Sequence, residues 1–263
     1  MNTTLEAMNA TFEKLIGTPK GPPYAHTCQI CGKEYENGER WDVYLACGPV
    51  CLAAVEAKEA QHAEACRLKR IANLRAEAAA SVKNAAPPRL VNTDLGHAGF
   101  NRKAWAVVSK WTPTDECPWL GLVGVTGACK TRMAILRALE VFADMTEARD
   151  TRLKFEYSSA YEIARHAIAQ YSDDKEEKYD SIRSLEAIRR ADLIIVDDID
   201  KTRFTPAITE VIFELFDMRH GRGKPTIWTA NTTAEEIGGM MAPQFGPAFA
   251  GRLNDCSKTF TLK

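Results

Sequence analysis

The stretch Gly124-Val-Thr-Gly-Ala-Cys-Lys-Thr-Arg132 decides how the rest of the chain is interpreted. The apolar run before it, Trp119-Leu-Gly-Leu-Val123, predicts a short buried strand, and residues 133–142 after it have the spacing of an amphipathic helix. A glycine-rich turn between a strand and a helix leaves successive backbone N–H groups unpaired and directs the positive end of the helix at one point. This geometry predicts a phosphate-binding loop.

Two side chains of this loop have specific expected roles. Lys130 is expected to reach the outer phosphates of a nucleotide, and the Thr131 hydroxyl is expected to bind Mg²⁺. The strict P-loop pattern has glycine immediately before the lysine, but this chain has Cys129, so an ordinary turn with an exposed lysine is the alternative. The candidate nucleotide contacts are Gly124, Val125, Thr126, Gly127, Ala128, Cys129, Lys130, Thr131 and Arg132.

A second apolar run carries the acidic residues that such a loop requires. Asp192-Leu-Ile-Ile-Val-Asp-Asp198 matches a buried parallel strand with paired carboxylates at its carboxyl end. We expect Asp197 to hold the Mg²⁺ shell and Asp198 to orient or deprotonate the attacking water. Glutamate commonly fills the second position, and aspartate is one methylene shorter, so slow ATP hydrolysis is expected. A hydrophobic strand that simply ends in a polar turn is the alternative.

Other segments complete an α/β pattern. Lys224-Pro-Thr-Ile-Trp-Thr-Ala-Asn231 predicts a strand, and its terminal Asn231 is placed to bind the attacking water or the γ-phosphate, with a turn-forming role as the alternative. Residues 153–157 alternate like a strand, residues 173–178 predict a charged loop, and residues 182–190 predict a helix. The predicted fold class is α/β, a doubly wound parallel sheet of the P-loop ATPase type.

Four of the eight cysteines cluster near the N-terminus, at Cys28, Cys31, Cys47 and Cys51. Two closely spaced pairs with a gap of about fifteen residues suit a tetrahedral Zn²⁺ site with four thiolates. Gly32 follows the first pair and predicts a turned knuckle, and the second pair leads into a helix whose dipole favours thiolate. Because four thiolates leave no open position, the zinc is expected to be structural; a redox role for the first pair is the alternative.

Length and charge limit the possible partners and compartments. The formal net charge of the 263 residues is −1, so no global field draws the chain to nucleic acid or membrane. No apolar run approaches the roughly 20 residues needed to span a bilayer. The first residues have neither a basic region nor an apolar core, so no signal peptide is predicted and the protein is expected to be cytoplasmic.

Composition predicts three parts. Residues 1–51 hold a short amphipathic helix capped by Thr4 and the zinc-binding module, and residues 52–86 form a helical connector rich in alanine and charged residues. Pro87-Pro88 ends that helix, and residues 87–263 form the ATPase domain. Basic residues on the connector form either a solvated helix face or a nucleic-acid patch, namely Arg67, Lys69, Arg70 and Arg75.

With these residues assembled, residues 87–263 resemble the AAA+ ATPase family of DnaC/DnaI-type helicase loaders and the related IstB-type transposition ATPases. A cysteine-ligated module ahead of the ATPase domain also resembles DnaI-type loaders, whose N-terminal domain contacts the replicative helicase. The resemblance is carried by Pro87-Pro-Arg-Leu-Val-Asn92, the loop Gly124 to Arg132, Leu193-Ile-Ile-Val-Asp-Asp-Ile199, Thr229-Ala-Asn231 and Gly251-Arg-Leu253.

The resemblance implies an ATP-dependent loader that places a hexameric replicative helicase on single-stranded DNA. It also implies that Arg252 reaches the nucleotide of a neighbouring subunit, so that copies of the chain associate through a shared ATP site; a surface arginine capping the last helix is the alternative. Two other functions stay open, an IstB-like ATPase that assists a transposase and a non-hydrolysing nucleotide-binding adaptor held together by zinc. Cys129 departs from the family pattern and puts affinity or turnover in question.

Overall fold

The computed structural model describes residues 24–28, 30–37, 49–90, 95–97 and 99–262. The helix predicted after Thr4 and the zinc candidate Cys47 lie outside these residues. The chain divides into two compact units, Met1–Lys69 and Arg70–Lys263.

The first unit contains an antiparallel hairpin of strands β1 (Tyr24–Thr27) and β2 (Glu34–Asn37). In the connecting turn, the Cys28 N–H donates to the Lys33 carbonyl at 2.8 Å, and the Gly32 N–H donates to the Cys28 carbonyl at 2.9 Å. Gly32 has a φ of +73°, which favours glycine over other residues. The knuckle predicted at this glycine is confirmed.

A long helix, α1, runs from Pro49 to Ala85 and passes through the boundary between the two units. Cys51 lies in its first turn, as the sequence predicted. After Pro49, the helix contains no glycine or proline and is rich in alanine, a composition that favours a continuous helix. In the part of the chain that the structure describes, no helix is both long and apolar enough to cross a membrane.

The second unit is built on a five-stranded sheet in which every strand pair is parallel, in the order β4-β5-β6-β3-β7. The predicted doubly wound parallel sheet is therefore confirmed. The strands are β3 (Trp119–Gly124), β4 (Phe155–Ser159), β5 (Leu193–Asp197), β6 (Thr226–Ala230) and β7 (Ser257–Leu262). The helices that follow α1 are α2 (Arg102–Val108), α3 (Lys130–Arg149), α4 (Ala160–Ala169), α5 (Lys175–Arg190), α6 (Pro206–Gly221), α7 (Ala234–Met240) and α8 (Gly246–Cys256).

Helices cover both faces of the sheet, so its central strands are buried on both sides. Trp119 and Val123 of strand β3 belong to the apolar cluster that holds helices α4 to α8. Leu120 and Leu122 belong to the other cluster, which holds α2, α3 and the end of α1. Side chains alternate between the faces of a strand, which explains why β3 is apolar at almost every position.

One helix begins earlier than the sequence predicted. Residues 173–178 were expected to form a charged loop, but helix α5 begins at Lys175. The Asp174 side chain accepts hydrogen bonds from the N–H groups of Glu176 and Glu177 at 2.9 and 3.2 Å. An aspartate N-cap followed by acidic residues in the first turn stabilises a helix start through hydrogen bonding and the helix dipole.

Close packing around Gly121 in the middle of β3 generates a prediction about stability. A Cβ at this residue would lie 2.5 Å from Trp228 Cζ2 and 2.8 Å from Thr259 Oγ1. We expect Gly121→Ala to lower the free energy of unfolding by about 1–3 kcal/mol because both neighbours must shift. Urea unfolding followed by circular dichroism measures this change.

The matched control is Gly239→Ala in helix α7, where an added Cβ meets nothing within 4 Å. Alanine favours a helix over glycine by up to about 1 kcal/mol, so this variant should be as stable as the unmodified chain or slightly more stable. Equal unfolding midpoints for the two variants would contradict the packing argument.

Candidate nucleotide-binding site

The loop after strand β3 has the backbone geometry of a phosphate cradle. Gly124 has a φ of +154°, and a Cβ there would lie 2.1 Å from the Leu262 carbonyl oxygen of strand β7. Gly127 has a φ of +90°, which also favours glycine. Helix α3 begins at Lys130, and the first turn of a helix offers N–H groups that have no acceptor within the helix. The loop can therefore donate several N–H groups to one anion.

Cys129 occupies the position where the strict loop pattern has glycine. Its backbone is left-handed, with a φ of +59°, and a side chain in that conformation costs roughly 1–2 kcal/mol. Cys129 is also the N-cap of α3, yet its side chain makes no capping hydrogen bond. Its Sγ lies 3.8 Å from Nδ1 of His97. Cys129 therefore carries backbone strain at the position where it departs from the strict loop pattern.

The Lys130 ammonium is buried beneath the loop, with 7% of the residue exposed, and not at the surface as the alternative interpretation expected. It donates to the carbonyl oxygens of Gly124 and Val125 at 2.8 and 3.1 Å. It also donates to Oδ1 of Asn231 at 2.9 Å, which joins the loop to the end of strand β6. Burial lowers the pKa of Lys130, and the Asp198 carboxylate opposes this effect.

The Asp197 carboxylate at the end of β5 accepts hydrogen bonds from three hydroxyl groups. Thr131 donates at 2.8 Å from the loop helix, Tyr157 at 2.7 Å from strand β4, and Thr229 at 2.7 Å from strand β6. Burial and the Asp197 carboxylate raise the pKa of Tyr157, so its phenol stays protonated and remains a donor. A hydroxyl beside a carboxylate is the oxygen donor set that Mg²⁺ prefers, so Thr131 and Asp197 fit the ion predicted for them.

Asp198 sits directly after this carboxylate in a left-handed backbone conformation, with a φ of +52°. Its N–H donates to Oγ1 of Thr229 at 2.8 Å, which fixes the turn at the end of β5. Burial raises the pKa of Asp198, and the carboxylates of Asp197 and Asp200 raise it further. The carboxylate is therefore a stronger base than an exposed aspartate.

Asn231 connects the loop to the turn that follows β5. Its Oδ1 accepts from Lys130 and, at 3.4 Å, from the Thr126 hydroxyl. On its other side, its backbone N–H donates to Asp200 Oδ1 at 3.0 Å, and its Nδ2 donates to Asp200 Oδ2 at 3.0 Å. The side chain is thus oriented at both ends, with one edge facing the lysine.

A cavity of about 490 Å³ opens at these groups. Eight of the predicted site residues line it: Thr126, Gly127, Cys129, Lys130, Thr131, Arg132, Asp198 and Asn231. The lining also includes Arg89, Leu90, His97 and Lys201, which were not predicted. The arginine guanidinium and lysine ammonium groups that line this cavity attract a polyanion, as the predicted binding of phosphate requires.

Arg252 lies in helix α8, and its guanidinium is held within its own chain. Its Nη2 pairs with the Asp217 carboxylate of helix α6, and its Cζ lies 4.4 Å from the centre of the Phe213 ring. Its Nη1 is buried and has no hydrogen-bond acceptor among the described residues. Arg252 is not among the described residues that line the cavity, so a contact with nucleotide requires another subunit or another side-chain position.

Three cysteines of the first unit form a second candidate site. The Sγ atoms of Cys28, Cys31 and Cys51 lie within 4.8 Å of one another. Four sulfur atoms around a tetrahedral zinc, each at about 2.3 Å, are about 3.8 Å apart, so this cluster fits three corners of such a site. The fourth predicted ligand, Cys47, lies outside the described residues.

The sequence interpretation missed two residues that hold the nucleotide site together. Tyr157 was placed on a strand without a role, although it lies near the carboxyl end of β4, next to β5. Asp200 follows Asp197 by three residues and is not part of any motif described above. The strand-end position of Tyr157 was the one usable signal, because neighbouring parallel strands end at the same edge of a sheet.

A family model described as the bacterial DnaA ATPase domain matches residues 97–243. The solved DnaC helicase loader has 18% identity and a TM-score of 0.47, covering 67% of this chain and 100% of that chain. DnaI has 16% identity and a TM-score of 0.49, covering 68% and 95%. AMPPCP-bound DnaA from Aquifex aeolicus has 16% identity and a TM-score of 0.46, covering 64% and 48%. The comparison with curated proteins found no match.

The side chain of Cys129 generates a prediction about ligand affinity, because it lines the cavity at the loop on which the phosphates would lie. We expect Cys129→Gly to bind ATP more tightly, by about fivefold to tenfold, because the loss of this side chain leaves more room for the phosphates. Isothermal titration calorimetry with Mg·ATP measures the affinity. Cys129→Ala is the control, because it removes the Sγ but keeps the Cβ and the left-handed backbone. Equal affinities for the unmodified chain and the glycine variant would contradict the crowding argument.

Proposed function

The chain belongs to the family of the bacterial DnaA ATPase domain, and from this premise we propose that it is a slow ATPase that loads a hexameric replicative helicase onto single-stranded DNA. The observation that carries the ATPase proposal is the 2.8 Å hydrogen bond between Thr131 and Asp197, which joins the phosphate loop to the acidic strand end. The loader proposal rests on the order of the motifs and on the cysteine-bearing segment ahead of them.

In this proposal, ATP binds in the cavity with its phosphates on the N–H groups of the loop from Gly124 to Arg132. Lys130 contacts the outer phosphates, a role supported by its position beneath the loop, where its ammonium donates to the Gly124 carbonyl and to Asn231. Thr131 and Asp197 would hold Mg²⁺, directly or through water. When bound there, Mg²⁺ would neutralise part of the negative charge of the phosphates.

Hydrolysis is assigned to the two polar strand ends. Asp198 orients the attacking water and accepts its proton, a role supported by the burial that raises the pKa of its carboxyl group. Asn231 positions the same water or the γ-phosphate, since its side chain is oriented by Asp200 and Lys130. Aspartate reaches one methylene less far than the glutamate common at this position, so turnover is slow.

Arg252 is proposed to act on the ATP of a neighbouring copy of the chain. Such an arginine stabilises the charge of the departing phosphate and is worth about 10³-fold or more in rate. Phe213 and Asp217 hold its guanidinium in one place, which supports presentation of a fixed cation to a partner. The active form would then be an assembly that shares ATP sites between subunits.

The N-terminal part is proposed to bind one structural Zn²⁺ through Cys28, Cys31, Cys47 and Cys51 and to contact the helicase. The three-part organisation into residues 1–51, 52–86 and 87–263 remains our prediction. Three thiols already gathered by a hairpin turn and a helix start support the zinc proposal.

Helicase loading and ATP hydrolysis measured on the same preparations test the proposed function. We expect the unmodified chain, with ATP, to increase the amount of a hexameric replicative helicase retained on circular single-stranded DNA. Lys130→Ala should lose ATP binding, and Arg252→Ala should bind ATP normally but lose hydrolysis, because each variant lacks a different half of the shared site.

A mixture of Lys130→Ala and Arg252→Ala should recover part of the hydrolysis rate, since an intact loop of one subunit can meet an intact arginine of the next. The matched control for the arginine is Arg222→Ala, an exposed residue that follows helix α6. A mixture as inactive as its components would contradict the shared site. ATP hydrolysis without any effect on helicase retention would contradict the loader.

Zinc content provides a separate prediction. We expect one Zn²⁺ per purified chain by elemental analysis, with loss of the metal in Cys47→Ser because a three-thiolate site binds more weakly than four. Cys66→Ser is the control, since this exposed cysteine lies in helix α1 outside the cluster. Full zinc occupancy in Cys47→Ser, or no zinc in the unmodified chain, would contradict the proposed ligand set.

A further inference from the structure

Lys201 is a second lysine at the nucleotide cavity, and neither the motifs nor the family match assigns it a role. It ends a short 3₁₀ turn, Ile199–Lys201, that begins two residues after the last residue of strand β5. Its N–H donates to the Asp198 carbonyl at 3.0 Å, and its side chain lines the cavity. The side chain is exposed, so it can move toward a ligand without breaking the core.

A chain of hydrogen bonds fixes the backbone of Lys201 relative to the phosphate loop. Lys130 donates to Asn231, and Asn231 donates to the carboxylate of Asp200 through both its backbone and its side chain. Lys201 is the next residue, so its Cα is placed by the same network that holds Lys130. Arg89 and Arg132 also line the cavity, and Arg132 lies on helix α3, which also holds Lys130.

Lys201 is available for a ligand. Lys130 already donates to three oxygen atoms of the protein, and Arg252 is not among the described residues that line the cavity of its own chain. Within the described part of the chain, the Lys201 ammonium has no hydrogen bond or ion pair.

We propose that Lys201 binds the terminal phosphate of ATP from within the same subunit and thereby distinguishes ATP from ADP. This inference rests on the proposed function of the cavity as an ATP site. ATP carries a negatively charged γ-phosphate that ADP lacks. A lysine ammonium forms a charge-assisted hydrogen bond with a phosphate oxygen, so Lys201 would bind ATP more tightly than ADP. The contact requires no neighbouring copy, whereas the Arg252 contact does.

Affinities for a non-hydrolysable ATP analogue with a β,γ-imido bridge and for ADP, both with Mg²⁺, test this contact. We expect Lys201→Met to weaken binding of the analogue by about tenfold, the usual effect of losing one hydrogen bond to a charged group. The affinity for ADP should change by less than about twofold. Lys201→Arg should keep most of the preference, since it retains the cation. Lys178→Met, an exposed lysine of helix α5, is the matched control and should change neither affinity.

The titrations are repeated at two protein concentrations, one below and one above the onset of self-association seen by sedimentation. We expect Lys201→Met to lose its preference for the ATP analogue over ADP to the same extent at both protein concentrations. Equal weakening of analogue and ADP, no change in either, or a loss confined to the associated form would overturn the assignment. A failure of the unmodified chain to bind either nucleotide would instead overturn the proposed ATP site.

Discussion

The parallel pairing of strands β3, β5 and β6 is the constraint on which the whole site depends. Val123 of β3 pairs with Ala230 of β6, and Val196 of β5 pairs with Trp228 of β6, so the carboxyl ends of the three strands lie at one edge of the sheet. The residue after each strand end therefore emerges beside its neighbours, and short side chains suffice to join them. The Lys130–Asn231 hydrogen bond is such a link, and it is possible because the loop turns sharply at Gly124 against strand β7.

The sequence predicted the parallel sheet and its polar edge because burial on both faces demands continuous apolar runs. Two of these runs end in a polar residue, Asp197 in β5 and Asn231 after β6, and the run of β3 ends at the loop that leads to Lys130. The pattern of a single strand does not state which strands are neighbours, so Tyr157 could not be assigned to Asp197 in advance. Contacts between strands depend on strand order, which local periodicity does not encode.

The roles of polar groups that tertiary packing buries could not be predicted from the sequence either. Arg219 of helix α6 is fully buried, and it donates to Oγ1 of Thr226 at 2.8 Å and to the Ala191 carbonyl at 2.9 Å. Burial lowers the pKa of Arg219 to about 9. This arginine satisfies backbone groups at the amino ends of β5 and β6, the edge opposite the site. A lone arginine in an amphipathic helix predicts exposure, so only the packed structure reveals its role.

The two additional cations proposed for the site, Lys201 and Arg252, would respond to different states of the protein. A same-subunit contact from Lys201 reports whether a γ-phosphate is present, since it forms in an isolated chain. A contact from Arg252 of another copy reports whether the chain is assembled, because its own Asp217 and Phe213 hold that arginine away from its own loop. Under the proposed function, binding and hydrolysis would then be separable steps, with binding set by the single chain and hydrolysis set by assembly. The short reach of Asp198 would slow hydrolysis further, so the ATP-bound form would persist until a partner completes the site. Such an ATPase would suit the timing of an assembly event more than continuous movement.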